Sequence, residues 1–216
     1  MHRLLFLLSL PPLLLAVILR KINADRILKE TSTSQLSRNA AQLAEDMLDA
    51  AKEHNAKVQV ARPSWIGNLP TGKNRLTLTP VVAAEKNGSA LGYAALHVGL
   101  LLLDKHNPST LAKLRWATRF GHVFPIFTTI VAIFAIAVAK LPPLMGIGVI
   151  AASLALATLA QILSVIAKLQ AAELATVLLE KSRLIPRLSD EEAVTAATRA
   201  WAWHAVLPGI ISRLVK

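Results

Sequence analysis

Long uncharged apolar runs alternate with polar, mixed segments along this chain. Residues 4–19 carry no charge and lie between Met1-His2-Arg3 and Arg20-Lys21. No small-x-small cleavage site follows, so the run reads as an uncleaved membrane anchor, slightly short for a span and kinked at Pro11-Pro12. Further on, no Asp, Glu, Lys or Arg stands between Arg119 and Lys140, or between Lys140 and Lys168. Each gap suffices for a bilayer crossing, which takes ~20 apolar residues. Pro142-Pro143 breaks the pair into a hairpin.

The segment between anchor and hairpin has other periods. Leu36, Ala40, Leu43, Met47, Leu48 and Ala51 recur at helical spacing, with Glu45, Asp46, Asp49, Lys52 and Glu53 mostly opposite them. That predicts an amphipathic helix over 34–54. Residues 57–61 and 75–79 alternate, and turn residues fill 70–74. Two short strands, paired in a small antiparallel sheet, are the expectation. Residues 80–85 read as a helical turn. Residues 89–106 then form the central helix, capped by Ser89 behind Asn87-Gly88 and free of charge until Asp104. Asn107-Pro108 pairs an N-cap with Pro at N1 and opens the next helix. Ser189 to Glu192 reads as a capping box that starts a last helix through Trp201, Trp203 and His204. Its uncharged core, 200–212, is too short for an independent span and suits an interfacial or bundle-packed helix.

Composition supports a membrane chain. Of 216 residues, 54% are hydrophobic and the mean hydropathy is +0.49, too apolar for an ordinary soluble domain. The net charge of +11 raises the question of nucleic acid, but no basic stripe interleaved with aromatics accompanies it. Fifteen of the 24 Lys and Arg lie from Arg20 to Arg119, both included, which places this segment on the cytoplasmic side by the positive-inside rule. Lys140 then lies outside, and Lys181, Arg183 and Arg187 inside. Trp116, Trp201 and Trp203 fit an aromatic belt at the membrane boundary. With no cysteine, disulfides, thiolate metal sites and cysteine nucleophiles are excluded. A Ser/His/Asp nucleophile motif and a phosphate-cradling Gly loop are also missing.

Candidate chemistry centres on AALHVGLL, residues 94–101. A zinc peptidase of the H-E-x-x-H type places two His at i and i+4 on one helix face and a Glu beside the metal-bound water. Here those positions hold Leu96, His97 and Leu100. The surrounding order matters too: an amino-terminal anchor, a helix ending in LAEDMLDA (43–50), two strands, AALHVGLL, a membrane hairpin, then KLQAAE (168–173). In that order and spacing the chain resembles the small bacterial membrane-bound neutral zinc metallopeptidases. Their corresponding patterns are A-x-x-I-L-D-A, A-A-H-E-V-G-H-A and E-F-N-A-S.

The resemblance implies a mostly α membrane protein: a zincin-like minimal helix–strand–helix domain with a transmembrane helical hairpin and an amino-terminal anchor helix. It divides the chain into an anchor (1–21), a cytoplasmic metallopeptidase-like domain (22–118), the hairpin (119–168) and a carboxy-terminal helical segment (169–216). It also places the family's two zinc His at Leu96 and Leu100, its catalytic Glu at His97 and its third ligand at Lys168. None can serve in that role, so no catalytic residue, bound metal or other cofactor is expected. Displaced ligands could only come from His97, Asp104 and Glu173, with His106 nearby; His97 and Asp104 are seven apart on one face, and Glu173 lies off the inherited register. The bland reading makes His97 a core histidine, Asp104 and His106 a solvated helix end, and Lys168 a snorkelling stop signal. The expected protein is a degenerate metallopeptidase homologue in the bacterial inner membrane, a binding, scaffolding or accessory subunit. Its partners would be lipid and other membrane proteins, not nucleic acid. An active enzyme with displaced ligands is the alternative.

Overall fold

The structure is a computed structural model; it describes residues 2–62, 71–72 and 74–208, with side chains over 7–62 and 74–208. It is mostly helical. Helix α1 (His2–Arg20) runs through Pro11-Pro12, passes a π-helical turn at Lys21–Asp25 and continues as α2 (Arg26–Ser32). The first apolar helix is therefore longer than the run 4–19 suggests. Arg20 does not end it: its side chain is buried and pairs with Asp25 at 2.9 Å, so the charge that looked like a stop is absorbed within the helix.

The amphipathic helix is shorter than its periodicity. Helix α3 (Ala40–Ala50) starts where Asn39 and Gln42 form a reciprocal capping box. Residues 34–39 lead into it instead, with the Leu36 N–H donating to the Lys86 carbonyl at 2.7 Å. Strands β1 (Lys57–Val60), β2 (Thr71–Gly72) and β3 (Arg75–Leu78) form one sheet in the order β1-β3-β2. The expected antiparallel pairing of the two longer strands is wrong. β1 and β3 run parallel, Val58 beside Leu76, while the two-residue β2 supplies the antiparallel edge. Leu76 and Leu78 point into the core from one face, as the alternation required. Part of the expected turn at 70–74 lies outside the described residues.

After α4 (Pro80–Ala84), helix α5 (Gly88–His106) opens at Asn87, whose side chain accepts from the Ala90 N–H; Ser89 is already inside the helix. Helix α6 (Pro108–Ala137) is capped by Asn107 as its Asn-Pro start requires, and α7 (Pro143–Ser182) follows across the proline turn. Arg183 in the left-handed region ends α7. Helix α8 (Leu188–His204) begins one residue ahead of Ser189, and no side chain caps it. The anticipated capping box is not formed. The expected extension to residue 212 lies partly outside the described residues.

Three helical stretches are long and apolar enough to cross a membrane: Leu7–Ser32, α6 and α7. Their outer faces carry large apolar side chains more than half exposed, among them Phe127, Ile130, Phe134, Leu163 and Ile166, which is how a lipid-facing surface is built. Helix α5 is not among these stretches. It is buried on nearly every side because α3, α7 and α8 surround it. The largest core joins α3, β3 and α5 to Ala175, Leu179, Ile185 and Val194 from beyond the hairpin.

Candidate functional site

The positions named by the H-E-x-x-H frame lie together in the interior. Leu96 and Leu100 share a buried cluster with Leu103, Leu111 and Leu114, and with Ala167, Ala171 and Ala172 of α7. Lys168 sits on the same stretch of α7. Small residues let the helix axes approach here. A Cβ at Gly99 would run into the Ala171 carbonyl oxygen, and a Cβ at Gly92 would lie 2.5 Å from the Ala197 Cβ on α8. The two glycines, seven residues apart, let α5 seat against both α7 and α8.

His97 is 6% exposed and its Nδ1 has no hydrogen-bond partner among the described residues. Tyr93 packs edge-on to it at 4.3 Å between ring centroids, and Trp201 packs on Tyr93 at 5.0 Å. Trp201, half-buried, donates from Nε1 to the Ser89 carbonyl at 2.8 Å and so ties α8 to the start of α5. Trp116, 63% exposed, does face outward.

Lys168 overturns the snorkelling expectation. It is 4% exposed, and its Nζ donates inward to Gln161 Oε1 at 3.5 Å. Gln161 in turn donates to the Ala117 carbonyl of α6 at 3.3 Å, and Ser164 Oγ donates to the Gln161 carbonyl at 2.7 Å. A charge within an apolar bundle is costly unless polar groups meet it, and this amide-centred chain is what α7 provides. Gln161 is the residue sequence reasoning missed. A lone amide in the uncharged run between Lys140 and Lys168 was the available signal.

The remaining candidates are engaged elsewhere. Asp104 accepts from Arg115 at 2.9 Å, Lys105 pairs with Glu53, and His106 Nδ1 meets the Leu102 carbonyl at 2.8 Å. The helix end is thus ion-paired and not merely solvated. Glu173 is exposed. Among the described residues, no group of three or more His, Asp or Glu could hold a metal ion. Two leucines and an ammonium do not form a donor set for zinc, which takes thiolate, imidazole or carboxylate ligands.

Burial, and after it the neighbouring Lys168 charge, lowers the His97 pKa from 6.5 to about 3. His97 is therefore neutral at pH 7. Above pH 6.5 the folded and unfolded chains are both neutral at this group, and its contribution is flat. As pH falls from 6.5 toward 3, the unfolded chain takes up a proton that the folded chain refuses. Stability then drops by up to ~1.4 kcal/mol per pH unit. His97→Leu should flatten part of this acid limb when unfolding midpoints are plotted against pH. An unchanged slope below pH 6.5 would mean that His97 is not buried in neutral form.

No family model, curated protein or solved structure matches the chain.

Proposed function

We propose that this chain is a catalytically degenerate relative of the membrane-bound neutral zinc metallopeptidases, acting as a binding, scaffolding or accessory subunit of a membrane complex. Its zincin-like part, 22–118, would lie on the cytoplasmic side of a bacterial inner membrane. One observation carries the reading: Leu96 and Leu100, at the frame positions of two zinc imidazoles, pack against the stretch of α7 that holds Lys168 at the third ligand position. Helix contact stands where a metal would tie these elements together. Burying a leucine side chain is worth about 1.5–3 kcal/mol, enough to replace part of such a tie.

Elemental analysis tests the loss of metal. Full-length protein purified in detergent and dialysed without chelator should hold well under one zinc per chain. A stoichiometric zinc that His97→Ala removes would overturn the degenerate reading and favour an active enzyme with displaced ligands.

Topology has a separate test, simplified by the absence of cysteine. A single cysteine at Asn74 should resist an impermeant thiol reagent added outside intact cells, and one beside Lys140 should react. The reverse pattern would place 22–118 outside.

A further inference from the structure

Between α6 and α7 runs an open groove of about 960 Å³. It joins Lys113 and Gln170 at one end to Phe120, Leu156 and Leu159 at the other. The uncharged part of α6 begins after Arg119, and the next charge is Lys140. Those ~20 residues fill a hydrocarbon layer of ~30 Å. Phe120 and Leu156 therefore lie at hydrocarbon depth, while Lys113, before Arg119 on α6, and Gln170, after Lys168 on α7, lie at headgroup level. The groove straddles the membrane boundary.

We propose that this groove holds one anionic phospholipid, an acyl chain along Phe120 and Leu156 and the phosphate against Lys113. Charge selects the occupant. Lys113 is exposed and has no carboxylate partner among the described residues, whereas the nearby Arg115 is neutralised by Asp104. An unpaired ammonium at headgroup level attracts an anionic lipid over a zwitterionic one. Trp116, on the same wall and 63% exposed, suits the carbonyl and headgroup region. A helix from another protein would leave Lys113 unmatched unless it brought an acid to the same depth. The lipid site does not depend on the metallopeptidase resemblance, only on α6 and α7 crossing the bilayer.

Native mass spectrometry of the full-length protein in nonionic detergent tests the site, with phosphatidylglycerol and phosphatidylcholine of matched chains as probes. One phosphatidylglycerol per chain should be retained in preference to phosphatidylcholine. Lys113→Gln should weaken phosphatidylglycerol about fivefold, the effect of one cation near the surface, and leave phosphatidylcholine unchanged. Ala160→Phe, filling the apolar end, should reduce retention of both lipids. Leu163→Ser, at a wall position 72% exposed, gives the same direction without a packing demand. Glycerophosphoglycerol, which has the headgroup but no chains, should not compete. Equal retention of the two lipids, indifference to Lys113→Gln or to both wall variants, or competition by the chain-free headgroup would each overturn the site. So would a dimer whose formation expels the lipid.

Discussion

Adding one methyl group at Gly99 should destabilise the protein by about 3 kcal/mol, the upper part of the range for overpacked cores. The added carbon would meet the Ala171 carbonyl oxygen, a backbone atom that no rotamer change can move. Relief requires α5 and α7 to separate, and separation loosens the cluster around Leu96 and Leu100. Alanine favours a helix over glycine by roughly 1 kcal/mol, so intrinsic propensity works against the loss and does not cancel it. Gly146→Ala provides the contrast. Its new carbon would meet the tip of the Ile136 side chain at 2.5 Å, a flexible end that can turn aside. Chemical unfolding in mild detergent should separate the two variants clearly. Equal midpoints for Gly99→Ala and wild type would mean that the α5–α7 approach is wrongly placed.

Leu100→Ala should cost about 2–5 kcal/mol, as truncations of well-packed core leucines do. Leu100 is 1% exposed and lies among Leu96, Leu103, Leu111, Leu114 and the alanines of α7. Rigid helices on several sides leave little freedom to collapse into the void. Leu163→Ala removes the same atoms from a surface 72% exposed on a helix long and apolar enough to cross a membrane, and should change stability little, because lipid would solvate both states alike. The pair therefore separates packing inside the bundle from apolarity toward lipid. Comparable losses for both variants would contradict the buried contact.

Much of the helical framework was legible in the chain because its signals are local. Asn107-Pro108 marked the start of α6, and charge-free gaps marked the two hairpin helices. The alternation at 57–61 and 75–79 gave both longer strands but not their mutual direction. Direction depends on the path of the connection, which a two-residue period does not encode. Helix starts were less secure where several capping residues compete. Asn39 and Asn87 cap α3 and α5 with their side chains, and α8 starts after Arg187 with no side-chain cap, while Ser89 and Ser189 had the same local credentials as caps. The orientation of Lys168 was the hardest feature to read. A lysine ending an apolar run normally reaches water, and only the seven-residue offset to Gln161, on one face of a helix whose neighbour is α6, turns it inward.

The core that joins α3, β3 and α5 to Ala175, Leu179, Ile185 and Val194 sets an order of events during synthesis. When a ribosome has finished α5, α3 and β3 already cover one side of it, but α7 and α8, which cover the rest, are still unmade. The nascent segment would meanwhile leave Leu96 and Leu100 without the α6 and α7 residues that bury them, a surface that invites aggregation and chaperone capture. Its completion must wait for the hairpin helix α7 and for α8, so a chain stalled between α5 and α7 cannot finish the packing around α5.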